Sequence, residues 1–360
     1  MTVKELRKKL HDTPEASMHE IKTKGILMEY IKENAASLEI TDRKSWFYAF
    51  KKGKSSESPV AFRADFDAVM CADSKAAHLC GHDGHSAALA GFACILDGMT
   101  PENDVYLIFQ PGEETGEGAE VCCELITQKS IKKIYGFHNI PGFEKNAVIV
   151  LDKTFACAST GLEIKLYGKQ THAAYPENGT NPDLAVSEII NKMHEMINSE
   201  HNGIVLGTVI GIDAGSSSYG VAAGKAVIKM TLRAEYQDEY DKFVNGIEQM
   251  TAATAEKYKL KYETKRIEEF PATENYAVCT EKIKNAAEEL GLKSITPSEP
   301  FRWSEDFGHY LKLTEGAFFG IGCGIDHAGL HTENYEFDDD IIMTVTDIYR
   351  ELVLQMKDST

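Results

Sequence analysis

The sequence predicts a two-domain α/β protein: a mixed-sheet α/β domain over residues 1–157 and 269–360, interrupted by an inserted ferredoxin-like α+β domain over residues 158–268. Three observations predict it. Up to Gly142, short apolar runs alternate with helical patterns, the order of an α/β sheet with parallel strand pairs. From Ser159 the order becomes β-α-β-β-α-β, the ferredoxin-like arrangement. After Phe270-Pro271 the first pattern resumes.

Taken in order, residues 3–11 and 19–35 read as helices, the second with Ile26, Leu27, Tyr30 and Ile31 on one face. Residues 46–50 are aromatic and strand-like, 52–58 are a polar turn, and 60–69 a strand that places Asp65 and Asp67 on one side. Residues 86–96 form a small-residue helix. The apolar run 104–110 is a buried strand ending at Pro111-Gly112-Glu113-Glu114, with a helix over 118–128 after it. Residues 131–137 are another strand, ending at His138. Ligands of α/β sheets sit beyond the carboxyl ends of strands, so Cys80, His82, Glu113, Glu114 and His138 are expected on one rim. In the insert, strands are expected over 162–166, 204–212, 226–234 and 260–265, and helices over 181–199, with Pro182 in the first turn, and 238–258. Beyond it come a helix over 275–290 closed by Gly291, a helix opened by Ser304-Glu305-Asp306, a strand over 317–323, His331 in the following loop, and a final helix over 339–356.

Acidic residues outnumber basic ones 56 to 38, a formal net charge of -18. That excludes nucleic acid and anionic membranes as partners. The N-terminus has no apolar signal core, and no stretch is long and apolar enough to span a bilayer, so a cytoplasmic location is expected. The eight cysteines are scattered and read as reduced thiols. Cys122-Cys123 invites a redox reading, but Val121, Cys122, Leu125 and Ile126 fit one helical stripe, which makes Cys122 core.

Chemistry concentrates in His78-Leu79-Cys80-Gly81-His82-Asp83-Gly84-His85. Thiolate and imidazole are the usual ligands of zinc and other first-row metals, and the glycines permit a turn tight enough to bring them together. The alternative is a histidine-rich helix start. His85 then caps or orients, and His78 can hydrogen-bond a ligand. Glu113-Glu114 allows one carboxylate to bind metal while its neighbour shuttles a proton, or is merely the acidic first turn of a helix. His138 and His331, the latter in competition with His327, can equally be satisfied histidines near strand ends. Asp65 and Asp67 are either solvated strand-end acids or supports for metal-bound imidazole. His11 and His19 read as surface or packing residues, and His194 and His201 as solvated.

Several stretches together resemble the aminoacylase-type metallopeptidases, and within them the amidohydrolases that include hippurate hydrolase, N-acyl-amino-acid amidohydrolases and auxin-conjugate hydrolases. They are Arg63-Ala64-Asp65-Phe66-Asp67-Ala68, His78 to His85, Phe109-Gln110-Pro111-Gly112-Glu113-Glu114 and Gly136-Phe137-His138-Asn139-Ile140-Pro141-Gly142. His172-Ala173-Ala174-Tyr175-Pro176, Ser304-Glu305-Asp306-Phe307, Leu330-His331 and the N-terminal Leu10-His11-Asp12-Thr13-Pro14-Glu15 extend the match nearly end to end. The resemblance implies a catalytic domain holding two divalent metals, interrupted by a lid or dimerisation domain that can form a homodimer. By motif it makes Cys80, His82, Glu114, His138 and His331 the metal ligands, Glu113 the general base, and His172 a group that reaches the scissile carbonyl. Asp65, Asp67 and Arg233 support ligands or substrate.

The implied reaction is attack of metal-activated water on the amide of an N-acyl-amino acid or short peptide. A thiolate among histidines and carboxylates suits manganese or zinc first, then cobalt or nickel. The chain departs from the family where an Asn-Val-Ile-Pro run is usual: it has Gly220-Val221-Ala222-Ala223, without the amide that helps hold substrate. Trp303 also replaces a small residue before Ser304. Rival readings are a nucleophilic Cys80, for which no cysteine-hydrolase signature is present, and a metal- or peptide-binding protein without turnover.

Overall fold

A computed structural model describes residues 1–72 and 74–358. The chain divides into two compact units. The first comprises Met1–Phe155, Thr273–Pro300 and Glu305–Thr360, and the second Ala156–Ala272 with Phe301–Ser304. Among the described residues, no helix is long and apolar enough to cross a membrane.

The first unit is built on an eight-stranded mixed sheet. Its order is Glu39–Asp42, Phe47–Lys51, Asn103–Gln110, Ser55–Asp65, Lys133–Ile140, Glu315–Gly322, Val148–Ile149 and Ser294–Ile295. The four central strands run parallel, and antiparallel pairs flank them. Apolar side chains fill these central strands on both faces, as parallel strands between helical layers require. The helix His82–Asp97 is buried along almost its whole length, which its alanines permit. At Gly91 a Cβ would stand 3.1 Å from Val3 and 3.4 Å from Thr346, so a small residue is needed where the helices Val3–His11 and Ile342–Leu354 close in.

Register sets the functional edge. Asp65 stands level with Gln110, Arg63 with Gly136, and His138 with Gly320. The carboxyl ends of three parallel strands therefore deliver Asp65, the turn after Gln110, and His138 to one rim.

The second unit has a four-stranded antiparallel sheet in the order Val205–Ala214, Lys225–Ala234, Ala158–Tyr167, Lys261–Phe270. The helices Asp183–Ile197 and Gln237–Lys257 pack on one face, and burial alternates along Lys225–Ala234 as that one-sided cover demands. The order is the ferredoxin-like β-α-β-β-α-β, with an added two-stranded ribbon of Thr171–His172 and Val221–Ala222.

Local expectations fail in several places: the strand expected over 60–69 is Ser55–Asp65 and takes in half of the expected polar turn, and the helix expected over 86–96 already begins at His82. The single helix over 118–128 is two short helices, Gly118–Cys122 and Glu124–Gln128, with Cys123 between them. Asp67 lies past the end of its strand, which stops at Asp65, so the two aspartates do not share a strand face. His138 lies inside Lys133–Ile140 rather than beyond it. Glu305 and Asp306 do not form an acidic first turn: the helix there is only Gly308–Leu311, and both acids are fully buried against Arg63. A buried guanidinium outweighs local capping preference, because leaving it unpaired costs far more than a lost cap.

Candidate metal centre

His82 opens its helix directly after Gly81, whose left-handed backbone (φ 101°) faces Asn139 and Tyr335 so closely that any Cβ would collide with them. Asp67 Oδ1 lies 2.9 Å from His82 Nδ1 and so turns Nε2 inward. Nε2 stands 3.7 Å from Glu114 Oε1, 3.8 Å from Glu113 Oε2 and 4.0 Å from Asp65 Oδ2. His138 Nδ1 lies 2.8 Å from the Asn139 carbonyl, and its Nε2 lies 3.5 Å from Cys80 Sγ. His331 Nε2 lies 3.6 Å from Glu114 Oε1. The donor atoms fall into adjoining triads within 4.8 Å: Cys80, His82 and His138; Cys80, Glu114 and His331; His82, Glu113 and Glu114. Cys80, His82 and Glu114 each belong to two of them. His327 joins none; its Nδ1 lies 2.9 Å from the Ala328 carbonyl.

Burial and charge make this arrangement costly in isolation. Burial, Glu305 and Glu114 together hold the Glu113 carboxyl well above the usual range. Burial and then the imidazoles of His85 and His82 hold His138 well below it. Burial and Glu114 push the Cys80 thiol up. His331 is pushed up to about 10 by its contacts with Cys80 and Glu114. The buried atoms His82 Nε2 and Glu114 Oε1 have no hydrogen-bond partner although they face each other at 3.7 Å. Buried, unpartnered lone pairs that converge fit a cation, and thiolate, imidazole and carboxylate suit a first-row divalent metal.

The outer contacts are continuous. His85 Nδ1 lies 2.7 Å from Asp65 Oδ1, and its Nε2 lies 2.6 Å from Asn139 Oδ1. Asp67 Oδ2 accepts from the Glu114 N–H at 3.0 Å. Arg63, fully buried, donates to Gln110 at 2.7 Å, Asp65 at 2.7 Å and Asp306 at 2.6 Å, and lies 3.0 Å from Glu305. Glu305 and Asp306 in turn approach Glu113. The role of this ion cluster was missed in the sequence; an arginine inside the apolar run from Val60 to Ala64 was the available signal for a buried counter-charge. His11 was also misread: its Nδ1 lies 2.8 Å from Asp83, next to His82.

His172 and Arg233 belong to the second unit. His172 is exposed on the ribbon, and its Nδ1 accepts from the Ala174 N–H at 3.0 Å. Arg233 donates to the Arg302 carbonyl at 3.0 Å and to Ser304 Oγ at 2.9 Å. In the departing stretch, the Gly220 carbonyl accepts from Ala173, and Trp303 stacks on Phe301.

Comparison with known proteins gives a consistent lineage. The chain is 28% identical over 371 residues to the N-acetyl-L-cysteine deacetylase of Bacillus subtilis, covering 98% of this chain and 88% of the relative. Its fold matches a Bacillus subtilis structure described as a dinuclear metal binding peptidase, with TM-score 0.84, 23% identity and 99% and 98% of the two chains covered. It also matches an aminobenzoyl-glutamate utilization protein from Klebsiella pneumoniae, with TM-score 0.74, 16% identity and 98% and 95% covered. The family model described as Peptidase family M20/M25/M40 matches residues 61–355, and this chain, a hydrolase, belongs to that family.

Proposed function

We propose that the chain is a metal-dependent amidohydrolase that cleaves the amide bond of N-acyl-amino acids or short peptides, releasing a carboxylate and an amino acid. Cys80, His82, Glu114, His138 and His331 would hold two divalent cations, manganese or zinc before cobalt or nickel, with Asp67 behind His82 and Asp65 behind His85. The observation that carries this reading is Glu113 placed against the donor triads, with Oε2 3.8 Å from His82 Nε2. The N-acetyl-L-cysteine deacetylase relative supports the substrate class.

When bound, such cations supply Lewis acidity and make water acidic enough to react near neutral pH. Glu113 takes a proton from the attacking water. Hydroxide adds to the amide carbon. Glu113 then returns the proton to the nitrogen as the C–N bond breaks. His172 reaches the scissile carbonyl and Arg233 supports substrate binding. Residues 158–268 serve as the lid or dimerisation domain to a catalytic domain of 1–157 and 269–360. A cytoplasmic location suits the eight free cysteines.

The test is Glu113→Gln, assayed with acetyl- and benzoyl-amino acids and dipeptides after manganese or zinc loading. The variant should keep two ions per chain and lose about 10²–10⁴-fold in kcat. Wild-type turnover by the variant would remove Glu113 from its role. Tight binding without product by the wild type, under every metal, would make the chain a binding protein.

A further inference from the structure

Beyond the donors themselves, the turn Pro111-Gly112-Glu113-Glu114 is held from outside by a segment far away in sequence. Gly112 is in the left-handed region (φ 61°), and its N–H donates to Glu20 Oε1 at 2.8 Å. The same oxygen accepts the Met18 N–H at 2.9 Å. On the other side of Glu113, the Glu114 N–H donates to Asp67 Oδ2, which also accepts from Ser17 Oγ at 2.7 Å. The backbone N–H groups of the residues on either side of Glu113 thus depend on residues 17–20, one directly and one through Asp67.

The segment is itself anchored. Glu15 Oε2 accepts from the N–H groups of Lys22 and Thr23 at 2.8 Å, capping the helix Ile21–Asn34 that Glu20, its own N-cap residue, leaves uncapped. Ala16 bridges Ala68, and the Ala68 N–H donates to the Glu15 carbonyl at 3.0 Å. Met18 is left-handed (φ 65°), a conformation a methionine keeps only when its surroundings impose it, and its side chain lies so close over Gly112 that a Cβ there would clash with it. Glu20 is 4% exposed, and its Oε2 is buried without a hydrogen-bond partner. Burying a carboxylate half-satisfied opposes folding. An alanine could not offer Gly112 an acceptor, so the arrangement makes sense where the acceptor matters more than the cost.

We infer that residues 15–20 form a positioning strap for the catalytic turn, with Glu20 and Ser17 as positioning residues that set the orientation of Glu113. Neither touches the donor triads. This inference rests on the role proposed for Glu113, but its physical core does not.

The test uses the full chain, loaded with manganese or zinc, in three variants: Glu20→Ala, Glu20→Gln and Ser17→Ala. Backbone amide exchange is read at Gly112 and Glu114, with kcat, KM and metal content beside it. Glu20→Ala should speed exchange at Gly112, and Ser17→Ala at Glu114, while exchange in the central sheet strands stays as in the wild type. Glu20→Ala should lower kcat by about 10²-fold, the scale of a misplacement near 1 Å, with KM and two ions per chain retained. Glu20→Gln keeps the acceptor oxygen and should restore both slow exchange and most of kcat. Unchanged exchange at Gly112 in Glu20→Ala would overturn the strap, as would a Glu20→Gln variant as impaired as Glu20→Ala. If the wild type hydrolyses no substrate, exchange at Gly112 and Glu114 still decides the strap, and only the proposed activity falls.

Discussion

The buried histidines of the inner wall and His331 are positioned by different means. His82 and His85 are buried, and each presents Nδ1 to an aspartate carboxylate, at 2.9 and 2.7 Å. His138 is oriented by the neighbouring Asn139 carbonyl. The His331 side chain is 52% exposed, and its backbone places it: φ is 61°, and its N–H donates to the Leu79 carbonyl at 2.7 Å. The inner wall is thus set by buried side-chain pairs that form with the fold, so its orientation precedes any cation. His331 is an arm placed by its own backbone rather than by a buried side-chain partner.

Stability of the metal-free protein makes that contrast measurable. His82→Ala leaves Asp67 buried with its imidazole partner gone, and should cost about 3–5 kcal/mol in urea unfolding. His331→Ala removes a half-exposed ring that faces Glu114 at 3.6 Å and should cost less than His82→Ala. Equal losses would erase the distinction between wall and arm.

A smaller effect tests the outer support of the wall. Burial, and then the charge of Asp67, push the Glu20 carboxyl up from 4.5 to about 7. Its folded-state value is the higher one, so the folded chain takes the proton first. Stability from this group is therefore greatest at low pH and declines as pH rises from about 4.5 through about 7, by about 3 kcal/mol in all. Glu20→Gln should flatten that part of the stability–pH curve. A curve unchanged by the substitution would show that Glu20 is not held as described.

Much of this was legible in the sequence, for a physical reason. Parallel strands buried on both faces must be short apolar runs, so the strands Asn103–Gln110 and Glu315–Gly322 stand out within a residue or two. Metal-type side chains need convergence, so Cys80 and His82 crowd around Gly81. The rest depends on pairs without local periodicity. Glu20 meets Gly112 across 92 positions, and Arg63 meets Asp306 across 243. Glu305 and Asp306 carried a convincing local signal for a helix start, and the buried arginine overrode it. His11 read as a surface or packing residue, and Ser17 carried no signal, because the aspartates they meet, Asp83 and Asp67, lie far away in sequence.

The most direct test of the account is anomalous diffraction from crystals of the full chain soaked in manganese or zinc. Two peaks are predicted, one among Cys80, His82 and His138 and its surrounding carboxylates, the other among Cys80, Glu114 and His331. A single ion elsewhere on the chain, or no peak near Cys80 at saturating metal, would contradict it.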